Sequence, residues 1–263
     1  MNTTDLGTAL ITGASSGIGA LYADRLARQG HDLILVARTA SRLERLAQRI
    51  ADATGRNVAT LTADLTNPAD RERVEAVLRT DPSIRMLINN AGIGSTAPLL
   101  ESDSAAMEHM IALNVTAPMR MARAAALNFA AQGRGTIVNI ASIVAVAPEL
   151  LNGVYGGTKA FVLAFSQSLR HELTDKGVRV QVVLPGATAT DFWDIAGTPV
   201  AHLPDGLVMN AEAMVDAAIA GLAQGEFVTI PSLPDLKDWD AFDAARLALG
   251  PNLSRSTPAA RYA

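Results

Sequence analysis

Seven short runs of mostly Val, Ile, Leu and Ala, at 6–12, 32–37, 57–63, 85–89, 136–141, 178–184 and 227–230, alternate along this chain with longer Ala-rich segments of helical pattern, at 17–29, 41–54, 68–80, 104–131, 154–176 and 211–223. This alternation narrows the fold more than any other feature. The runs are apolar at successive positions, as in a parallel sheet whose two faces are both covered by helices. Parallel strands joined through helices cross over right-handedly, and a series of such units builds a doubly wound α/β sheet. With 263 residues, 49% of them hydrophobic, the chain can form one such domain over 1–263. Aromatics make up only 4%, so the core must consist mainly of small and branched aliphatics. The stretch 191–210 breaks the alternation with Pro199, Pro204 and Gly206, and is expected to act as a substrate lid. The tail 231–263 contains Pro231, Pro234, Pro251 and Pro258. It is expected to form loops around one short helix near 239–249, available for subunit contact.

Other classes are disfavoured. The net charge of −4, without a basic block, recommends neither nucleic acid nor an anionic membrane as partner. No cysteine is present, which rules out disulfides and thiol chemistry and fits a cytoplasmic location. The first five residues carry no positive region ahead of an apolar run, so no secretory signal is expected. No apolar stretch is long enough to span a bilayer. His31, His109, His171 and His202 are scattered, and no metal site is expected.

The first run leads directly into Thr12-Gly13-Ala14-Ser15-Ser16-Gly17-Ile18-Gly19, followed by a helix. Glycines between a strand and a helix start let a backbone approach a pyrophosphate closely, and the helix terminus attracts its charge. The residues expected to hold a dinucleotide here are Gly13, Ser15, Ser16, Gly17, Ile18 and Gly19. The spacing is Gly-x-x-x-Gly-x-Gly rather than the commoner Gly-x-Gly-x-x-Gly. After the second run, where an NAD site usually has Asp or Glu, the chain reads Val36-Ala37-Arg38. A guanidinium there suits a 2′-phosphate, so NADP(H) is the expected cofactor; the alternative is an ordinary surface charge opening a helix that also holds Arg42, Arg45 and Arg49. Asp64, with Leu65 beside it, ends the third run and could accept from an adenine amino group. Asn89-Asn90-Ala91-Gly92 closes the fourth, where small residues again allow close approach.

Chemistry is expected at the same sheet edge. Tyr155 and Lys159 are one helical turn apart and share a face. A cation beside a phenol favours the phenolate and draws its pKa down toward neutrality. Ser142 ends the fifth run and could donate to a substrate oxygen beside the phenol. Asn114 lies inside a helical segment, either solvated or holding a water in a proton chain toward Lys159. Pro185, Gly186, Thr188 and Thr190 follow the sixth run at the height of a nicotinamide. Val144, Leu150 and Leu151, with Phe192 and Trp193, are candidates for an apolar substrate pocket suited to a moderately hydrophobic ketone or alcohol; the alternative is that they pack a lid or a subunit contact.

Taken in order, Thr12-Gly13-x-x-x-Gly17-x-Gly19, Asn89-Asn90-Ala91-Gly92, Asn114, Ser142, Tyr155-x-x-x-Lys159 and Pro185-Gly186-x-x-x-Thr190 resemble the short-chain dehydrogenase/reductase family, over about residues 6–230. The resemblance implies a Rossmann fold with a seven-stranded sheet in the order 3-2-1-4-5-6-7, and a homodimer or homotetramer. It also implies a catalytic tetrad of Asn114, Ser142, Tyr155 and Lys159, with Tyr155 as acid/base in NADPH-dependent interconversion of a ketone or aldehyde and an alcohol. Tyr155 and Lys159 would also contact the cofactor, Lys159 through the nicotinamide ribose. The alternative is a non-catalytic NADP(H)-binding sensor or scaffold.

Overall fold

In the computed structural model, which describes residues 6–204 and 206–262, every apolar run becomes a strand: β1 (Thr8–Thr12), β2 (Asp32–Ala37), β3 (Val58–Thr62), β4 (Ile84–Asn89), β5 (Gly135–Ile140), β6 (Val178–Val183) and β7 (Val228–Thr229). All pair in parallel, in the order β3-β2-β1-β4-β5-β6-β7. This is the doubly wound order expected of the chain. Residues 1–5, residue 205 of the expected lid and Ala263 of the tail lie outside the described residues.

Strand side chains alternate between faces, and each face is sealed by its own helices. Ala9, Ile11, Leu33 and Leu35 pack with α1 (Gly17–Gln29), α2 (Ala40–Thr54) and α8 (Ala211–Gln224), through Leu26, Leu43, Ile50 and Val215. Leu10, Val36 and Leu87 face the other way, toward α3 (Pro68–Thr80), α5 (Ala117–Gln132) and α6 (Gly153–Leu173), through Leu78, Met121, Phe129 and Leu169. Asparagines start several helices. Asn67, Asn152 and Asn210 each accept two backbone N–H groups in the first turn of α3, α6 and α8, satisfying donors that have no partner inside the helix.

One expected helix is interrupted. The segment 104–131 forms α4 (Ser104–Ile111), one turn of π-helix (Ala112–Thr116) and α5. The wide turn carries Asn114. Such insertions are uncommon and concentrate at functional sites. The irregular stretch after β6 holds a short α7 (Phe192–Ala196), and its end is tied back by a bridge between Thr188 and Met209.

The chain divides into two units, one up to Pro231 and one from Ser232. The second consists of α9 (Leu236–Ala248) and short turns. Asp235 caps α9 by accepting from the Lys237 N–H, and Trp239 packs on Phe242 with ring centroids 5.3 Å apart. No helix among the described residues is long and apolar enough to cross a membrane.

Candidate active site

At the carboxyl ends of β1, β4, β5 and β6 a cavity of about 480 Å³ opens. Its floor at one end is the glycine turn. Gly13 has φ +65°, and a Cβ there would stand 2.8 Å from the Ala91 Cα and 2.9 Å from Asn90 Nδ2. Gly19 packs directly against the Gly13 carbonyl. The turn is fastened to β4 by Thr12, whose hydroxyl donates to the Ile88 carbonyl and accepts from the Asn90 and Ala91 N–H groups at 3.0 and 3.1 Å. The Asn90 amide donates in return to the Thr12 and Gly13 carbonyls. Ser15, Ser16, Gly17 and Ile18 line the cavity at the start of α1, where backbone N–H groups favour an anion. Thr190 lies against Gly17, so the segment after β6 reaches across this turn.

Arg38 lines the same end, exposed and in no ion pair among the described residues. Arg42 joins it, one helical turn on. Arg42 carries no cofactor role in the sequence analysis; its four-residue spacing from Arg38 is the signal that could have found it. Asp64 and Leu65 complete this wall. Burial pushes the Asp64 carboxyl up, but two hydrogen bonds from Thr66 and the charges of Arg38 and His109 outweigh it and hold the group below its ordinary value. Arg71, itself buried, donates to the Leu65 and Thr66 carbonyls and fixes the loop; nothing in the sequence marked it.

The other end of the cavity holds Ser142, Tyr155 and Lys159. Tyr155 opens α6, and the Asn152 side chain sets its position. Asn152 Oδ1 accepts from the Val154 and Tyr155 N–H groups, while its Nδ2 donates to the Ala97 carbonyl at 2.6 Å. Lys159 Nζ donates to the Ile140 carbonyl at 2.9 Å and lies 5.8 Å from the Tyr155 ring centroid. Both groups are deeply buried, and burial governs their ionisation. It raises the Tyr155 phenol to about 12, with a hydrogen bond to Ser142 acting in the opposite sense. It lowers the Lys159 ammonium to about 8. The phenol's shift is upward, opposite in direction to that expected from the charge of Lys159, because the hydroxyl is desolvated.

Asn114 and Gly19 stand behind the cavity wall rather than on it. Asn114 is 1% exposed, and its amide clasps the Ile93 backbone: Oδ1 accepts the Ile93 N–H at 3.0 Å and Nδ2 donates to the Ile93 carbonyl at 2.7 Å. Nδ2 also donates to the Thr158 hydroxyl, which donates to the Tyr155 carbonyl. A Cβ on Gly92 would be 3.2 Å from Asn114 Oδ1 and 3.6 Å from Lys159 Nζ, so these two groups border one small space.

Pro185, Gly186, Thr188 and Thr190 line the side of the cavity after β6. Val144, Leu150, Leu151, Phe192 and Trp193 all line it, together with Ile93, Ile195 and Leu207, and of these Val144, Leu151, Phe192 and Ile93 cluster with Tyr155. The Phe192 ring lies 5.8 Å from that of Tyr155, and Trp193 Nε1 donates to the Thr188 carbonyl at 3.0 Å. Among the described residues no group of His, Asp and Glu could hold a metal ion.

This arrangement has relatives. The short chain dehydrogenase family model matches residues 7–198. The 17-beta-hydroxysteroid dehydrogenase type 3 of Rattus norvegicus is 35% identical over 186 residues, 69% of this chain; the match spans only 60% of that protein's length. Two solved structures are similar over nearly their whole length. A short-chain dehydrogenase from Sphingobium yanoikuyae, in complex with NADPH, shares 49% identity with a TM-score of 0.95, covering 98% of this chain and 100% of that one. A bulky-bulky ketone specific alcohol dehydrogenase from Comamonas testosteroni shares 46% with a TM-score of 0.90, covering 98% and 99%. The family match runs from the glycine turn past Tyr155 and Lys159 and takes in well over half of the sequence: the chain belongs to the short chain dehydrogenase family.

Proposed function

We propose that this protein is an NADPH-dependent oxidoreductase that interconverts a moderately hydrophobic ketone or aldehyde and the corresponding alcohol, with Tyr155 as acid/base. One observation carries the reading: a buried Ser142, Tyr155 and Lys159 share a single cavity with the glycine turn and Arg38. The cavity suits a dinucleotide. Gly13 and Gly19 leave no room for side chains between the turn and its neighbours, and Arg38 and Arg42 offer guanidinium groups for a 2′-phosphate. The NADPH held by the Sphingobium yanoikuyae relative supports the same cofactor. When bound, the nicotinamide supplies the hydride.

The protein's own residues handle orientation and the proton. Ser142 donates a hydrogen bond to the substrate oxygen and sets it against the phenol. Tyr155, neutral at physiological pH because its pKa is near 12, donates its proton to that oxygen as alkoxide character develops. Lys159, near 8, is mostly charged at neutral pH and is close enough to its pKa to pass a proton onward. The space between Lys159 and Asn114 is where a water would connect that relay to solvent. The lid reading of 191–210 is supported by Phe192 beside Tyr155 and by Trp193, which lines the same cavity and packs edge-on against Phe192. Exposed Leu247, Leu249 and Leu253 support a subunit contact for the tail, in a homodimer or homotetramer.

The test is initial-rate NADPH oxidation against a panel of ketones and aldehydes, with NADH and a Tyr155→Phe variant in parallel. Turnover with NADPH that falls by about 10²-fold or more in the variant is expected. Tight NADPH binding without turnover of any carbonyl compound favours the sensor reading instead.

A further inference from the structure

Granting the ketone reduction proposed above, we propose that Gly94 is a specificity-determining residue: by leaving a notch for the Phe192 ring, it keeps the space beside Tyr155 open to ketones with a sizeable apolar group next to the carbonyl. Gly94 follows β4 and is not among the glycines at positive φ, so what it supplies is volume rather than backbone freedom. A Cβ built there would overlap Phe192 Cζ and stand 2.9 and 3.2 Å from the two Cε carbons. The ring therefore occupies the place where any other residue would begin its side chain.

The backbone that carries Phe192 is held from two sides. The Thr96 N–H and hydroxyl both donate to the Ala196 carbonyl, each at 3.0 Å, and the Thr198 hydroxyl donates to Thr96. Trp193 Nε1 is tied to the Thr188 carbonyl. A methyl group at position 94 thus displaces the ring more readily than the helix; the ring's aromatic neighbours are Trp193, centroids 5.6 Å apart and itself tied by its indole N–H, and Tyr155 at 5.8 Å, so its movement is felt in the space beside Tyr155. Val144, Leu151 and Phe192 gather in one apolar cluster around Tyr155 and line the cavity there, so a shift of the Phe192 ring changes the room left for an apolar substituent of a substrate whose oxygen is held by Ser142 and Tyr155.

The measurement is kcat/KM for dibutyl ketone and for butanone, with NADPH, in the wild type, Gly94→Ala and the double variant Gly94→Ala/Phe192→Ala. Volume changes of one methyl group in an apolar pocket discriminate substrates by about tenfold or more, so the dibutyl-to-butanone ratio should fall by at least that factor in Gly94→Ala. Removing the ring should restore it in the double variant, a recovery that mere loss of folding would not give. The NADPH Kd, read by fluorescence, separates a narrowed ketone space from a damaged cofactor site. An unchanged ratio in Gly94→Ala, or a fall that the second substitution does not reverse, overturns the assignment of Gly94. A wild-type protein that reduces neither these nor any other ketone overturns the activity reading itself.

Discussion

Replacing Lys159 by Met should make this protein more stable near neutral pH, and the advantage should vanish as the pH rises. Lys159 is 6% exposed, and its hydrogen bond goes to the Ile140 carbonyl. Burial holds its pKa at about 8 against an ordinary 10.5. That difference corresponds to about 3 kcal/mol of destabilisation borne by the folded chain while the amine is charged in both states. Methionine is similar in length and uncharged; it leaves the Ile140 carbonyl without this donor, which offsets about 1 kcal/mol of the gain. The expected net gain is about 2 kcal/mol at about pH 7. Below about pH 8, Lys159 is protonated in the folded and the unfolded chain, and the penalty is complete. Between there and 10.5 the folded amine is neutral while the unfolded one still holds its proton. Unfolding then takes up a proton, and wild-type stability rises by up to about 1.4 kcal/mol per pH unit. The variant lacks this rise, so the difference between the two should reach zero near about pH 9.5 and reverse beyond it. Urea unfolding followed by circular dichroism, at intervals from about pH 7 to about pH 10, measures that difference with the shared titrations subtracted. A variant less stable than wild type at neutral pH, by a margin that does not move across this window, refutes the reasoning.

Arg38→Ala should weaken NADPH binding by about 10- to 100-fold, the loss expected for hydrogen bonds to a charged group, and leave NADH binding near its wild-type value; fluorescence titration of both cofactors checks it. Equal losses for the two would remove Arg38 from the 2′-phosphate. Tyr22 lies in the core on α1 with its hydroxyl buried and unpartnered among the described residues, and burial holds that phenol well above its usual pKa. Tyr22→Phe should therefore raise stability by about 1 kcal/mol in a thermal or urea melt, and a loss of stability would show that the hydroxyl has a partner after all.

Much of the architecture could be read from the chain because its signals are local. Strands buried on both faces must be apolar at consecutive positions, and helices between them must carry small or aliphatic residues at helical spacing. The order of the strands came from the family resemblance rather than from any local pattern. What escaped the sequence depends on distance or on burial. The π-turn around Asn114 has a local signal in Pro118, which offers no N–H to the Asn114 carbonyl; what the pattern of 104–131 does not show is the clasp of Asn114 on Ile93, twenty-one residues away. The four-residue spacing of Tyr155 and Lys159 brings them to one face but says nothing of how dry that face is. Dryness decides the sign of the phenol's shift. Gly94 and Phe192 are far apart in the chain, and a lone glycine in a loop does not announce which ring will occupy its missing side chain.

The asparagine pair Asn89 and Asn139 face one another across β4 and β5, joined at 2.9 Å, and Asn139 continues to Ser166, whose hydroxyl donates to Val162 within α6. Ser166 lies eleven residues after Tyr155, three helical turns, and so on the same side of α6 as Tyr155 and Lys159. Asn139 lies three residues before Ser142. The bond between them therefore acts as an indexing pin. Rotating α6 about its axis, or sliding β5 by one position against β4, would strand several buried amides and hydroxyls, each at about 1–3 kcal/mol. The relative setting of Ser142 and Tyr155 is thus fixed from below, by groups that no substrate touches. A substitution at Asn139 or Ser166 would be felt first as a loss of alignment at the mouth of the sheet.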